Sequence, residues 1–133
     1  MTSVLLRHAS AGHRDRLEHG DDRLRPLDDR GRRQAAALVE LLRPLGVRRL
    51  LSSPYVRCVE TLEPLAAALE LPVEADDRLG EGSRASAREL LGEDGVVLCT
   101  HGDIVEELLG RGLKKGAAVV LRDGEVVREI RAP

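Results

Sequence analysis

Four side chains able to handle an oxyanion stand far apart along a 133-residue chain: Arg7 and His8 near its start, Arg57 in its middle, and His101 beyond. An imidazole can attack phosphorus when it is neutral and keeps one ring nitrogen free. Neighbouring guanidinium groups favour that neutral form, because they disfavour a further positive charge. The same groups fork onto the non-bridging oxygens of a phosphoryl group and hold it in line for attack. Taken singly, each residue has an ordinary structural reading: a hydrogen-bonded core histidine, an ion-paired arginine on a helix, or a histidine capping the helix of Asp103. Chemistry requires that the chain bring them together.

The elements that carry them alternate. Short apolar runs at 3–6, 48–52 and 96–99 predict buried strands, and Leu71-Pro72-Val73 an extended segment. Asp28 predicts the N-cap of a helix with Ala35, Leu38, Val39, Leu41 and Leu42 on one broad face, ended by Pro44 and Gly46. Ser53-Pro54 predicts the cap and first residue of a helix reaching about Leu69, with Pro64 expected to kink or divide it. A modest helix is expected over 83–91, and Asp103 is expected to cap one reaching about Leu109. The runs 117–121 and 125–130 flank Asp123-Gly124, a strong hairpin signal. This order implies an α/β fold in one domain spanning 1–133: three layers, a mainly parallel sheet flanked by helices, with a C-terminal antiparallel hairpin.

In an open α/β sheet, ligands bind outside the carboxyl ends of the strands. Arg7-His8 ends the first strand, Ser52-Ser53-Pro54 and then Arg57 follow the second, and Thr100-His101-Gly102 follows the run 96–99. The four residues are therefore expected at one sheet edge, where phosphate is the simplest ligand. The helix N-terminus preceding Arg57 adds to the attraction.

Composition narrows the classes. Lys plus Arg number 21 against 23 Asp plus Glu, which argues against a general nucleic-acid or anionic-membrane partner. Tyr55 is the only aromatic residue, so stacking several bases on aromatic rings is not available. Cys58 and Cys99 make neither a disulfide framework nor a zinc site and read as reduced buried thiols. The apolar run before Arg7 is only Val4-Leu5-Leu6, so no secretory pattern is visible, and no apolar run nears the roughly 20 residues of a membrane helix. A soluble, cytoplasmic monomer is expected, with the outer edge of the 119–127 hairpin as the place where a second chain could pair. The polar loop 9–26, with His13, Arg14, Arg16, His19, Arg23 and Arg25, has no helical period, and a loop that long is usually functional or mobile. His13 and His19 read as solvent-facing, and Arg48-Arg49 and Lys114-Lys115 as solvated charge.

Leu6-Arg7-His8-Ala9, the stretch Arg25-Pro26-Leu27-Asp28-Asp29-Arg30-Gly31-Arg32-Arg33-Gln34-Ala35, Ser52-Ser53-Pro54-Tyr55-Val56-Arg57-Cys58-Val59-Glu60-Thr61 and Thr100-His101-Gly102 together resemble the histidine phosphatase superfamily, the phosphoglycerate-mutase-like group. The short length and the Arg-His-Ala start look most like its SixA-type phosphohistidine phosphatases, and similar domains occur attached to Nudix hydrolases. The resemblance implies a two-step phosphatase that needs no metal or other cofactor. His8 would be the nucleophile, with Arg7, Arg57 and His101 holding the phosphoryl oxygens and the Gly102 N–H helping. Leu79-Gly80-Glu81-Gly82 resembles the pattern that carries the family's general acid, which makes Glu81 the candidate, with Asp76, Asp77 and Asp103 as neighbouring alternatives. In the unusually charged loop 9–26, Arg25 is expected to add a phosphate or substrate contact. The implied substrate is a phosphohistidine protein or a small phosphate ester. A catalytically weak phosphate-binding module and a phosphoglycerate-type mutase are the rival readings. Ala9 stands where the family usually has Gly, and the long insertions of the sugar-phosphate mutases are missing, which counts against the mutase.

Overall fold

A computed structural model of the chain describes residues 1–12, 21–83 and 86–133. Six strands form one sheet in the order β3-β2-β4-β1-β5-β6: β1 Thr2–Arg7, β2 Arg49–Ser52, β3 Val73–Ala75, β4 Val96–Thr100, β5 Ala117–Arg122 and β6 Glu125–Arg131. β1, β2, β3 and β4 run parallel, whereas β5 and β6 pair antiparallel. This is the mixed α/β sheet with an appended hairpin that the element order implies. The hairpin turn has Asp123 at φ 52° and Gly124 at φ 85°. Two successive left-handed residues match the right-handed twist of the flanking strands, which is why Asp-Gly sits there.

Strand side chains alternate between faces, and the core divides accordingly. Val4, Leu6, Val97 and Cys99 pack with Leu38 and Leu42 of α1 (Asp29–Leu42) and with Leu62 and Leu65 of α2 (Val56–Leu69). Leu5, Val96 and Leu98 pack on the opposite side with Ile104 and Val105 of α3 (Gly102–Leu109). Three layers result. Among the described residues, no helix is long and apolar enough to cross a membrane.

Four local expectations need correction. Pro64 lies inside α2 without dividing it; burial of Leu62, Leu65 and Ala66 on both sides of the proline outweighs the one missing backbone bond. α2 begins at Val56 with extended Tyr55 as its cap, not at Ser53-Pro54. The Ser53 hydroxyl instead accepts the Tyr55 N–H in a turn before the helix. α3 is capped by the backbone of His101, and Asp103 lies within its first turn, accepting the N–H of Gly82. In the segment expected as a helix over 83–91, of which 84–85 lie outside the described residues, the described residues form a 3-10 helix at Arg88–Gly92 and no α-helix. Its few apolar residues are too short a run for a stable amphipathic face.

Parallel pairing puts the carboxyl ends of β1, β2 and β4 at one edge. Arg7 is in register with Thr100, and Ser52 with Cys99. The His8 N–H continues the ladder onto the Thr100 carbonyl, and the Ser53 N–H onto that of Cys99.

Candidate active site

His8 is buried just beyond β1, and its Nδ1 lies 2.8 Å from its neighbour's carbonyl, Ala9 O. A carbonyl can only accept, so Nδ1 carries the ring proton and Nε2 keeps its lone pair. Burial lowers the pKa of His8 to about 3, against a weaker upward pull from the Ala9 bond; the nearby His101, Arg57 and Arg7 lower it further. The ring is therefore a neutral base at any ordinary pH.

The turn after His8 is stapled on every side. The Ala9 N–H donates to Thr61 Oγ1, which itself donates to the Arg57 carbonyl. The Ser10 N–H donates to Oε1 of buried Gln34, and the Ser10 hydroxyl and Gly12 N–H donate to Asp28. Asp28 also caps α1 through the Gly31 N–H. Burial alone would raise its carboxyl, but these donors outweigh it and hold the pKa below the usual carboxylate value. A Cβ on Gly31 would stand 1.9 Å from Ser10 O, so only glycine lets α1 approach this turn.

His101 is held from the other ring nitrogen. Ser53 Oγ lies 2.8 Å from its Nε2, where a hydroxyl can either donate or accept. The other side of the ring decides between them: Nδ1 lies 3.4 Å from Glu81 Oε2, within charge attraction but poorly aligned for a hydrogen bond. A carboxylate oxygen would repel a bare ring nitrogen, so Nδ1 bears the hydrogen and Nε2 accepts from Ser53. The two imidazole centroids are 5.4 Å apart.

Arg57, on the first turn of α2, is fully buried. It donates to the Asp22 carbonyl and carboxylate, and to Glu81 Oε2 at 2.5 Å, and its guanidinium carbon lies 5.0 Å from the centroid of the Tyr55 ring. Arg7 donates through Nη1 to Leu113 O, and its guanidinium lies against Gly102, where an added Cβ would be 3.1 Å from Cζ. Among the described residues, Arg7 Nε, Arg57 Nε and His101 Nδ1 are buried and meet no hydrogen-bond acceptor. Buried donors left so are rare, and an entering anion would satisfy them.

A cavity of about 510 Å³ opens on this cluster, lined by Arg7, His8, Arg57, His101, Glu81, Arg25 and Gly102, with Gly12, Gly82, Asp103 and Lys115. Every candidate site residue named from the sequence thus faces one space. Arg25 has a narrower position than expected: its guanidinium also clamps the carbonyls of Ala11 and Gly12 and the carboxylate of Asp22. Of the alternative acids, Asp103 lines the cavity, Asp77 lines an adjoining hollow, and Asp76 is tied to Arg78. Cys58 Sγ lies 3.6 Å from His101 Nε2; it and Cys99 are free and buried. His13, Arg14, Arg16 and His19 lie outside the described residues, and Arg23 is an exposed partner of Asp21.

Sequence reading missed three contributors. Ser53 reads as a helix cap, yet it holds His101. Asp22, which opens a 3-10 helix at Asp22–Leu24, partners both Arg25 and Arg57. Lys115 reads as solvated charge, yet it lines the cavity. Nothing in the Lys-Lys-Gly spacing signals this, because it follows from β5 pairing antiparallel with β1, which sets Gly116, just before β5, beside His8, just after β1, and brings Lys115 to the same edge.

A sequence profile of the histidine phosphatase superfamily (branch 1) matches residues 3–90. An 8-oxo-(d)GTP phosphatase of Mycolicibacterium smegmatis is 37% identical over 95% of this chain, which spans only 46% of that protein. Among solved structures, SixA from Agrobacterium tumefaciens superposes with a TM-score of 0.75 at 20% identity, covering 97% of this chain and 96% of that one. The protein histidine phosphatase SixA complexed with tungstate gives 0.73 at 24% identity, covering 99% and 97%. These structural likenesses speak to the fold.

Proposed function

The chain belongs to the histidine phosphatase superfamily, and from this we propose that it hydrolyses a phosphoryl group in two steps through a phosphohistidine at His8. One observation carries the reading: His8 commits Nδ1 to the Ala9 carbonyl and leaves Nε2 as an unprotonated nucleophile among the guanidinium groups. In the first step a bond forms from Nε2 to phosphorus and the bond to the leaving atom breaks, with Glu81 as the candidate donor of its proton. In the second step water attacks the same phosphorus, the P–N bond breaks, and the proton of water passes to the Glu81 carboxylate. Arg7, Arg57, His101 Nδ1–H and the Gly102 N–H stabilise the oxygens as charge shifts onto them, so neither step calls for a metal. Arg25 shapes the mouth of the cavity.

The substrate is a phosphohistidine protein or a small phosphate ester. The mycobacterial relative's substrate places nucleotides among the esters to be tried. The test is hydrolysis of an aryl phosphate in EDTA by the wild type and by His8→Ala, with a search by mass spectrometry for a phosphorylated His8 after rapid quenching. Turnover lost in the variant together with a labelled wild-type His8 supports the reading. Undiminished turnover in the variant rejects the nucleophile, and stoichiometric binding without label or turnover supports the rival of a phosphate-binding module.

A further inference from the structure

Lys115 is built into the site with unusual care for a residue whose side chain is exposed. The next N–H along the chain, that of Gly116, reaches both the Arg7 and His8 carbonyls, at 3.2 and 3.0 Å. The Lys115 carbonyl accepts from Nε2 of Gln34, the same buried side chain whose Oε1 holds the Ser10 N–H. A Cβ on Gly116, at φ +79°, would meet Gln34 at 3.0 Å, so the backbone here admits little but glycine. The backbone of the lysine is thus fixed relative to the nucleophile through both polar groups of the peptide that follows it.

Its surroundings are one-sided. The ammonium faces Arg7, Arg25 and Arg57, and the carboxylate that offsets them, Asp28, already accepts from Ser10, Gly12 and Gly31. Among the described residues no ion pair from the Lys115 ammonium is formed, whereas Arg57 and Arg25 are paired with Asp22 and Glu81. Glu81 and Asp103 line the same cavity and are already engaged, Glu81 by Arg57 and Asp103 by the Gly82 N–H. Among the described cations of the cavity, Arg7 and Lys115 are therefore the two without a paired carboxylate. With the phosphoryl group held by Arg7, a neutral leaving group would gain nothing from the lysine. A leaving group that is itself an anion would be drawn to it.

Resting on the proposed phosphatase reading, we propose that the substrate ends in a diphosphate: the terminal phosphoryl group faces His8, and Lys115 binds the second phosphate as the specificity-determining residue. A phosphate leaving group also needs less protonation than an alcohol, which suits a Glu81 already engaged with Arg57.

The experiment is calorimetric binding of inorganic phosphate and of imidodiphosphate, a non-hydrolysable diphosphate, to the wild type, Lys115→Gln, Lys115→Arg and Lys114→Gln. The wild type should bind imidodiphosphate about tenfold more tightly than phosphate, as one additional charge-assisted contact allows. Lys115→Gln should lose most of that advantage while holding phosphate within about twofold. Lys115→Arg should keep part of it, and Lys114→Gln all of it. Equal weakening of both ligands in Lys115→Gln would make the lysine part of the phosphoryl pocket and overturn the proposal, and so would no change in either. Binding needs no turnover, so the ratio is read even where no phosphorylated His8 forms, and the two readings fail separately.

Discussion

The turn after β1 and the turn after β4 each deliver a histidine to the same cavity, but they hold it by opposite nitrogens. His8 gives its Nδ1 proton to the Ala9 carbonyl and presents a bare Nε2. His101 has its Nε2 engaged by Ser53 and presents Nδ1–H. In the proposed reaction one ring is thereby suited to be the nucleophile and the other a donor, although both are buried at the end of a parallel strand. The partner atom decides the tautomer: the Ala9 carbonyl can only accept at Nδ1 of His8, and the Glu81 carboxylate favours a proton on Nδ1 of His101. The two turns differ in upkeep as well. The first is secured by side chains from α1 and α2, namely Asp28, Gln34 and Thr61, whereas the second runs straight from β4 into α3.

The largest blow to this asymmetry is loss of the bare nitrogen. His8→Ala should lower kcat by at least about 10³-fold in a steady-state phosphatase assay, while His101→Ala should leave a phosphorylated His8 detectable, since a donor assists the step without forming the bond. Arg57→Met removes the guanidinium that Asp22 and Glu81 share. A loss of about 1.5–3 kcal/mol in urea unfolding is expected, because its charge-assisted hydrogen bonds to both carboxylates are lost. Gly31→Ala should cost about 1–3 kcal/mol by overpacking against Ser10 O. It should disturb the His8 imidazole signals in NMR and leave those of His101 in place; equal disturbance of both would show the turns to be one unit.

Acid sharpens the comparison next. The folded pKa of His8, about 3, lies below its unfolded value of 6.5. The unfolded chain therefore binds more protons in between, and stability present above pH 6.5 is lost as pH falls toward 3. The slope is at most about 1.4 kcal/mol per pH unit. Urea midpoints measured across that window should show this slope in the wild type and a shallower one in His8→Asn. Ser53→Ala should act most gently, with kcat down about tenfold and KM nearly constant, because the donor of Nε2 is lost while Arg7 and Arg57 still bind the phosphoryl group. Imidazole nitrogen shifts would report whether His101 has changed tautomer.

Much of the site was legible because it lies at strand ends. A short apolar run that stops at Arg7-His8, and another that stops at Thr100-His101, announce both the strand and the place where its ligand-facing residues begin. Asp28 as a cap and Asp123-Gly124 as a turn were legible for the same reason, since their backbone demands are local. Pro64 and Ser53 misled because neighbours elsewhere decided their roles: core packing kept α2 continuous through Pro64, and Ser53 turned to His101 instead of capping the helix.

From its own order of residues, the chain determined its alternating elements, the edge on which its cations gather, and the histidine proposed as nucleophile. Only the tertiary structure decided which nitrogen of each histidine faces the cavity, that Asp22 and Glu81 share Arg57, and that Lys115 lines the cavity with His8. Periodicity and capping are set within a few residues, whereas tautomers, shared ion pairs and antiparallel neighbours depend on atoms brought together from distant parts of the chain.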